Sequence, residues 1–170
     1  MTITTAMRKF IFILATAIMA FAAASCAALR MTPEEKAKIE AKIQDDLDDR
    51  EFIIDVNQMN PLRGPSRNVN NFSLEVKEDR LISRLPYFGQ AWNVPYGGGK
   101  GMNFESKISD YIETMPKPDR RQITIATNNG EDNLVFVIVV FTNGKASIDV
   151  RSRNRESISY SGDMRVSLDD

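Results

Sequence analysis

The sequence predicts an α+β fold that is mainly β, with one N-terminal helix followed by a seven- or eight-stranded antiparallel sheet, strongly curved or closed into a barrel. Three observations support this prediction. A capped segment with helical periodicity occupies residues 33–50, alternation of apolar and polar residues dominates from residue 51 onward, and two Asn-Gly pairs interrupt that alternation. Because Asn-Gly suits tight turns between antiparallel strands, we expect strands that are consecutive in the sequence to pair with each other in the sheet.

The helix prediction begins from its capping residues. Thr32 is placed as the N-cap, Pro33 follows as the first helical residue, and Glu35 stands where a capping box needs an acid. We therefore expect a helix over residues 33–50. Its apolar stripe is narrow, so only one edge of the helix can dock; the stripe consists of Ile39, Ile43 and Leu47.

The strands are predicted from alternation and from the turn residues between them. We expect strands at residues 51–59, 71–77, 80–85, 102–115, 120–127, 133–141 and 145–152, with an edge strand around 157–160. The segment 60–70 contains two prolines and a glycine, which predicts a loop. In the segment 102–115 the apolar residues share one parity and should share one face; they are Met102, Phe104, Ile108 and Ile112.

The two Asn-Gly pairs also predict how the strands align. If Asn143-Gly144 is a two-residue turn, Val139 opposes Ile148 and Val137 opposes Val150, so the odd-numbered residues of the sixth strand and the even-numbered residues of the seventh face the core. A longer loop at Asn129-Gly130 would then pair Ile125 with Val135 and Ile123 with Val137. The even-numbered set would need cover from the helix stripe of Ile39, Ile43 and Leu47; that set is Phe136, Ile138 and Val140.

A cleaved signal is expected to precede one domain of residues 33–170. Arg8 and Lys9 come before the apolar run "FIFILATAIMAF" and the small residues "AAASC", which is the order of a secretory signal peptide. The predicted signal covers residues 1–25, and its start is Met1 or Met7. A membrane-spanning helix is the alternative, but a span needs a continuous apolar run of about 20 residues.

Cys26 is the only cysteine in the 170 residues, which excludes a disulfide within the chain. Its position directly after the small residues resembles the acylated cysteine of bacterial lipoproteins, so we predict that fatty acids such as palmitate anchor it to the membrane. An unmodified buried cysteine is the alternative. Residues 26–32 would form the lipidated tether. Residues 27–30 lack both the aspartate that resembles a retention signal and an acidic run that resembles an export signal, which predicts the periplasmic face of the outer membrane.

Composition narrows the functional classes. Removal of Arg8 and Lys9 with the signal leaves 20 basic and 23 acidic side chains, so we expect no nucleic-acid partner. Histidine is absent, which removes the commonest general base and the commonest zinc ligand. The sequence therefore predicts no catalytic residue, no cofactor and no metal.

The stretch "LPYFGQAWNVPYGGGKGMNF", residues 85–104, concentrates glycines and aromatic rings around one lysine. It is not a phosphate-binding loop, because Val94 and Gly101 occupy the positions that need glycine and serine or threonine. We interpret the stretch as a connection between strands. Tyr87, Trp92 and Tyr96 are the candidate ligand-binding residues, and burial of these rings in the core or loop base is the alternative.

Two charged patterns are candidates for further sites. Arg151, Arg153 and Arg155 share one parity and could bind an anionic partner, although a solvated strand face is the commoner explanation. The acidic residues have no spacing that identifies a two-carboxylate hydrolase; they include Glu75 with Glu78 and Asp79, and Glu105 with Asp110.

Several segments together resemble a known family. "LPYFGQAW", "PYGGGKGMNF", "SDY", "FTNGKASIDV" and "RESISYSG" occur in that order after the lipoprotein-type signal. They are similar to the Bacteroidetes lipoproteins grouped as domain of unknown function 4251, over about residues 48–165. The resemblance implies an envelope location and a fold, and it brings over no catalytic residue because the family has no established activity.

Two functions from different classes are compatible with the sequence. The first is a non-enzymatic envelope lipoprotein that binds a small molecule, a glycan or an envelope protein. The second is a carboxylate-dependent hydrolase that acts on envelope material. The absence of histidine and of a convergent catalytic motif favours the first.

Overall fold

The computed structural model describes residues 31–93, 99 and 101–167. The chain divides into two compact units, residues 1–36 and 37–170, and the described part of the first is residues 31–36. The predicted signal peptide, Cys26 and Tyr96 lie outside the described residues.

The described residues form one helix and eight strands. The helix α1 spans Pro33–Asp48, and the strands are β1 (Glu51–Pro61), β2 (Arg67–Lys77), β3 (Arg80–Arg84), β4 (Asn103–Lys117), β5 (Arg120–Asn128), β6 (Asn133–Phe141), β7 (Lys145–Ser152) and β8 (Ile158–Met164). The loop predicted over 60–70 is shorter than expected, because β1 and β2 extend into it and leave only residues 62–66.

The eight strands form a closed barrel in sequence order, and every neighbouring pair is antiparallel. The predicted helix followed by a seven- or eight-stranded antiparallel sheet is therefore confirmed, and of the two forms expected for the sheet the closed barrel is the one found. The edge strand expected around 157–160 is wrong in one respect: β8 is not an edge, because it pairs with β7 on one side and with β1 on the other. Closure satisfies the backbone groups that an open edge would expose.

Apolar side chains fill the barrel, as expected for eight strands. The inward-facing residues from neighbouring strands meet at the same level, for example Ile123, Ile138 and Ile148. Phe104 and Phe136 pack edge to face, with ring centroids 6.3 Å apart. The interior is thus a packed core rather than a ligand cavity.

The helix is capped as predicted and lies against the barrel. Glu35 N–H donates to Thr32 Oγ1 and Thr32 N–H donates to Glu35 Oε2, which is the capping box. Ile43 and Leu47 are fully buried and belong to the barrel core. A side chain on Gly144, in the β6–β7 turn, would contact Ile43, so the stripe covers one end of the barrel.

The predicted β6–β7 register is wrong by one residue. Ile138 opposes Ile148 and Phe136 opposes Val150, so the even-numbered residues face the core. The turn has three residues, 142–144, because only Gly144 adopts a positive φ, +81°, while a two-residue type I′ turn needs two such residues. The even-numbered set consequently needs no cover from the helix.

The β5–β6 loop is longer than two residues, as predicted, but the pairing differs. Asn128 opposes Asn133, so the loop comprises residues 129–132, and Ile125 opposes Phe136 rather than Val135. Asn129 Oδ1 accepts the N–H groups of Glu131 and Asp132, which holds this longer loop in place. Ile123 and Ile125 are fully buried, as expected.

A bulge in β4 overturns the prediction that its apolar residues share one face. Ile108 opposes Thr127 and Asp110 opposes Ala126, so Ser109 is an extra residue. Its hydroxyl donates to Ala126 O at 2.8 Å. Beyond the bulge the alternation is inverted: Tyr111 is partly buried and Ile112 is 50% exposed.

A second irregularity marks the β1–β8 pair that closes the barrel. Val56 opposes Gly162 and Gln58 opposes Ser161, which leaves Asn57 as an extra residue. The backbones approach closely at this point, because a Cβ atom on Gly162 would lie 2.1 Å from Asp55 O.

Candidate functional site

Four connections lie at the end of the barrel opposite α1, which we call the loop end: residues 62–66, the described part of the β3–β4 connection (85–93, 99, 101 and 102), 129–132 and 153–157. Antiparallel order brings every second connection to the same end. This end collects buried charged side chains; they are Asp132, Arg155 and Glu156. Charged groups are rarely buried without a reason, so the loop end is the candidate site.

The segment 87–92 is tied to the β7–β8 connection by main-chain hydrogen bonds. Ala91 and Arg155 form an isolated antiparallel bridge. Trp92 N–H donates to Asn154 O at 2.8 Å, and Glu156 N–H donates to Gln90 O at 2.9 Å. The first part of the glycine-rich connection therefore behaves as a short extra strand with a defined position.

Glu156 links three connections through its buried carboxylate. Its Oε2 accepts Gln90 N–H at 3.2 Å, and its Oε1 lies 3.1 Å from Arg63 Nε in the β1–β2 loop. Glu156 is 5% exposed, whereas the Arg63 side chain is largely exposed. The carboxylate is thus solvated by protein donors in place of water, which makes it a structural anchor.

Arg155 occupies the centre of the site with incomplete hydrogen bonding. Its guanidinium lies 4.0 Å from Glu131 Oε2 and 4.0 Å from Asp132 Oδ2, beyond hydrogen-bond distance in both cases. Its carbon Cζ is 5.6 Å from the centre of the Tyr87 ring. Arg155 Nε, Asn129 Nδ2 and Asp132 Oδ1 are buried without a hydrogen-bond partner, so two donors and one acceptor of the site are unsatisfied.

The neighbouring phenols act as neutral supports. Tyr160 donates its hydroxyl to Pro86 O at 2.7 Å, and the Tyr87 hydroxyl lies 2.8 Å from Gln90 O and 3.2 Å from Glu156 O. Burial raises the pKa of Tyr87, and the Arg155 guanidinium opposes that rise. Burial also raises the pKa of Tyr160. Both hydroxyls therefore keep their protons at neutral pH and hold the loop carbonyls.

The predicted ligand-binding residues have different environments. Tyr87 is partly buried and packs against the core, which agrees with the alternative of loop-base packing. Trp92 is 66% exposed, so the alternative of burial does not hold for it. The nearby Phe88 is 46% exposed, with the Arg67 guanidinium over its ring. The strand β4 begins at Asn103, as the interpretation of this stretch as a strand connection requires.

The sequence pattern missed the centre of the site. Arg151 and Arg153 are exposed as expected, but Arg155 is buried because it follows the end of β7 and turns into the loop end. Two sequence signals included Arg155, its shared parity with Arg151 and Arg153 and its presence in the "RESISYSG" segment, but neither predicts its burial. Asp132 and Glu131 had no signal beyond their place after Asn129-Gly130.

Three of the acidic residues that the sequence offers for catalysis form ion pairs on the barrel surface. Glu75 lies 3.8 Å from Arg84, Asp79 lies 3.3 Å from Lys107, and Glu105 pairs with Arg80. Within the described residues, no group of three acidic, cysteine or histidine side chains is placed to hold a metal ion. No helix in the same part of the chain is both long and apolar enough to cross a membrane.

Comparisons with known proteins give a family and a fold. The family described as "Domain of unknown function (DUF4251)" matches residues 34–164. The crystal structure of a DUF4251 family protein from Bacteroides eggerthii DSM 20697 is similar, with a TM-score of 0.59 and 15% identity over 76% of this chain and 89% of that chain. At that identity the likeness concerns the fold alone. No curated protein matches the chain.

Proposed function

Because the chain belongs to the DUF4251 family, we propose that it is a lipid-anchored lipoprotein of the bacterial cell envelope whose barrel serves as a non-enzymatic binding module. The support for the envelope location is the signal-like segment of residues 1–25 followed by Cys26. The support for binding comes from the loop end.

The observation that carries the binding proposal is an exposed aromatic ring on a fixed backbone beside a buried charged cluster. The Trp92 side chain is 66% exposed. Its backbone N–H donates a hydrogen bond to the carbonyl oxygen of Asn154, the residue before Arg155. Exposed tryptophan on a preorganised segment is typical of a binding surface, because the ring buries a large area at little entropic cost. Since the barrel interior is packed, a ligand would bind on the loop end rather than inside.

The chemistry of this surface suits a polar ligand with an apolar face, such as a glycan. The Trp92 ring offers a flat apolar surface for the C–H face of a sugar, and the largely exposed Arg63 side chain at the same end of the barrel can donate hydrogen bonds to hydroxyl groups. Tyr96, which is also predicted to bind the ligand, lies outside the described residues. An envelope protein and another small molecule are the other ligands that this surface could take.

Nothing in the described residues indicates enzymatic activity. The carboxylates of Glu131 and Asp132 each lie 4.0 Å from the Arg155 guanidinium, so a cation is next to both. A glycoside hydrolase instead needs open space between its two carboxyl groups for the sugar and a water molecule. The alternative of a carboxylate-dependent hydrolase is therefore the weaker proposal.

The binding proposal is tested by capture from the envelope of the native organism. The wild-type protein, Trp92→Ala and Leu62→Ala are immobilised, and bound glycans, small molecules and proteins are identified by mass spectrometry. Leu62 is the matched control, because it is also 66% exposed at the loop end. We expect Trp92→Ala to lose about tenfold or more of the specific ligand and Leu62→Ala to retain it. Equal capture by all three proteins would refute binding at Trp92.

The lipid anchor is tested by metabolic labelling with an alkynyl fatty acid. We expect the wild type to be labelled and Cys26→Ala to be unlabelled, because Cys26 is the only thiol. A labelled Cys26→Ala variant, or an unlabelled wild type, would contradict the lipoprotein proposal. Protease treatment of intact cells should leave the domain undigested if it faces the periplasm from the outer membrane.

A further inference from the structure

One strand of the closed barrel keeps a free edge. β3 pairs with β4 only from Asn103 to Lys107, whereas β5 pairs with β4 as far as Lys117. Beyond Lys107, no strand of the described chain pairs with the β3-facing side of β4. Alternate residues of this stretch therefore direct their N–H and C=O groups to an open edge.

The free edge has two defined ends. At one end Ile108 N–H donates to Asp79 O at 2.7 Å, which occupies the edge at that position. At the other end Pro116 has no N–H to donate. The available edge is residues 109–115, and its midpoint is Ile112.

The surroundings of this edge are open and partly apolar. Ile112 is 50% exposed and Met115 is 62% exposed. A groove of about 250 Å³ runs beside residues 108–111, with its other wall formed by Arg50, Glu78 and Asp79. The groove leaves open space beside the first residues of the β4 edge, and residues 112–115 are exposed.

We propose that a second copy of this chain pairs with the β4 edge, antiparallel and about a two-fold axis at Ile112. This arrangement places Ile112 opposite its own copy, Tyr111 opposite Glu113, and Asp110 opposite Thr114. No like charges face each other. The two closed ends also coincide, since Ile108 meets Pro116 of the other copy, so neither blocks the pairing. A self-complementary patch of this kind is what a two-fold dimer requires.

Neighbouring registers are less favourable. An axis at Glu113 would place two glutamates directly opposite each other, and like charges at opposed positions destabilise a strand pair. An axis at Tyr111 would place Ile112 opposite Asp110 and would lose the apolar pair. The Ile112-centred register alone matches the free length and the side chains together.

Dimerisation through seven residues would be weak, so it is measured as a function of concentration. We expect sedimentation velocity of the full chain to show a dimer that forms as concentration rises. Ile112→Lys should remain a monomer over the same range, because lysine on an edge opposes pairing. Leu62→Lys is the control: its residue is also exposed but lies at the loop end, and it should dimerise like the wild type. A monomeric wild type at all concentrations would refute the proposal, as would dimerisation of Ile112→Lys.

The register is tested by cysteine cross-linking in the full chain. The background is Cys26→Ser, because Cys26 is the only cysteine and its replacement leaves the introduced cysteine as the only thiol. Opposed residues have Cα atoms about 4.5–5.5 Å apart, within the range of a disulfide. We therefore expect Ile112→Cys to form a disulfide-linked dimer under mild oxidation. Thr114→Cys is the matched control, because it would face Asp110 of the other copy and not itself. Equal cross-linking of both variants, or none of Ile112→Cys, would contradict the Ile112-centred pairing, and the second result together with a sedimenting dimer would indicate a different interface.

Discussion

Gly162 is the position at which the barrel closure is most sensitive to a single methyl group. A Cβ atom there would lie 2.1 Å from Asp55 O, 2.9 Å from Asp55 C and 3.0 Å from Val56 Cα. All three atoms belong to the backbone of β1, so no side chain can rotate away. Relief requires β1 and β8 to separate by nearly 1 Å, which would stretch the hydrogen bonds on either side of the Asn57 bulge.

We expect Gly162→Ala to lower the free energy of unfolding by about 3 kcal/mol. Overpacking costs about 1–3 kcal/mol in a packed interior, and each weakened backbone hydrogen bond adds about 1 kcal/mol. Urea unfolding followed by circular dichroism measures the change. With a slope of about 1–3 kcal/mol per molar urea, the midpoint should fall by at least about 1 M.

Gly64→Ala is the matched control for this measurement. Gly64 has φ +103°, and nothing lies within 4 Å of a Cβ atom added there. The substitution therefore carries only the backbone strain of the left-handed region, about 1–2 kcal/mol. A Gly162→Ala midpoint equal to or above that of Gly64→Ala would refute the close-contact explanation.

Two further predictions concern the β2–β3 turn and the pH dependence of stability. Glu78 has φ +52°, so Glu78→Gly should relieve strain and raise the urea midpoint by the equivalent of about 0.5–1 kcal/mol, and a lower midpoint would contradict this. Burial, aided by Glu113, raises the pKa of Tyr111 from 10.0 to about 12. As pH rises, the unfolded chain therefore loses the Tyr111 proton at lower pH than the folded chain does. The contribution of the protonated Tyr111 to the free energy of unfolding is complete below pH 10 and is lost between about pH 10 and 12. Urea midpoints of the wild type should fall more steeply over that interval than those of Tyr111→Phe; parallel curves would show that Tyr111 is not responsible.

The local elements could be predicted because their signals are local. The strands β6 and β7 begin and end at the predicted residues, since alternation and the flanking turn residues lie within each segment. The helix begins at Pro33 because the capping box is formed by residues three positions apart. The helix ends at Asp48 rather than Arg50, which adopts φ +57° and directs the chain into β1.

The registers could not be predicted from the Asn-Gly pairs alone. The dipeptide favours a turn but does not set the number of residues in the loop. Asn143 accepts the N–H of Lys145 through its side chain, which favours the three-residue form of that turn. The bulge at Ser109 likewise depends on a hydrogen bond to β5, a strand that lies elsewhere in the sequence.

The sequence by itself determined the order and type of the elements, because propensity, capping and alternation act over a few residues. Only the tertiary structure decided that Arg155 is buried among Glu131, Asp132 and Tyr87, since these side chains come from three separate connections. The free edge of β4 is also a tertiary feature. It exists because β3 is ten residues shorter than β4. Part of β4 is therefore left without a partner on one side, and this is apparent only from the pairing of all the strands in the closed barrel.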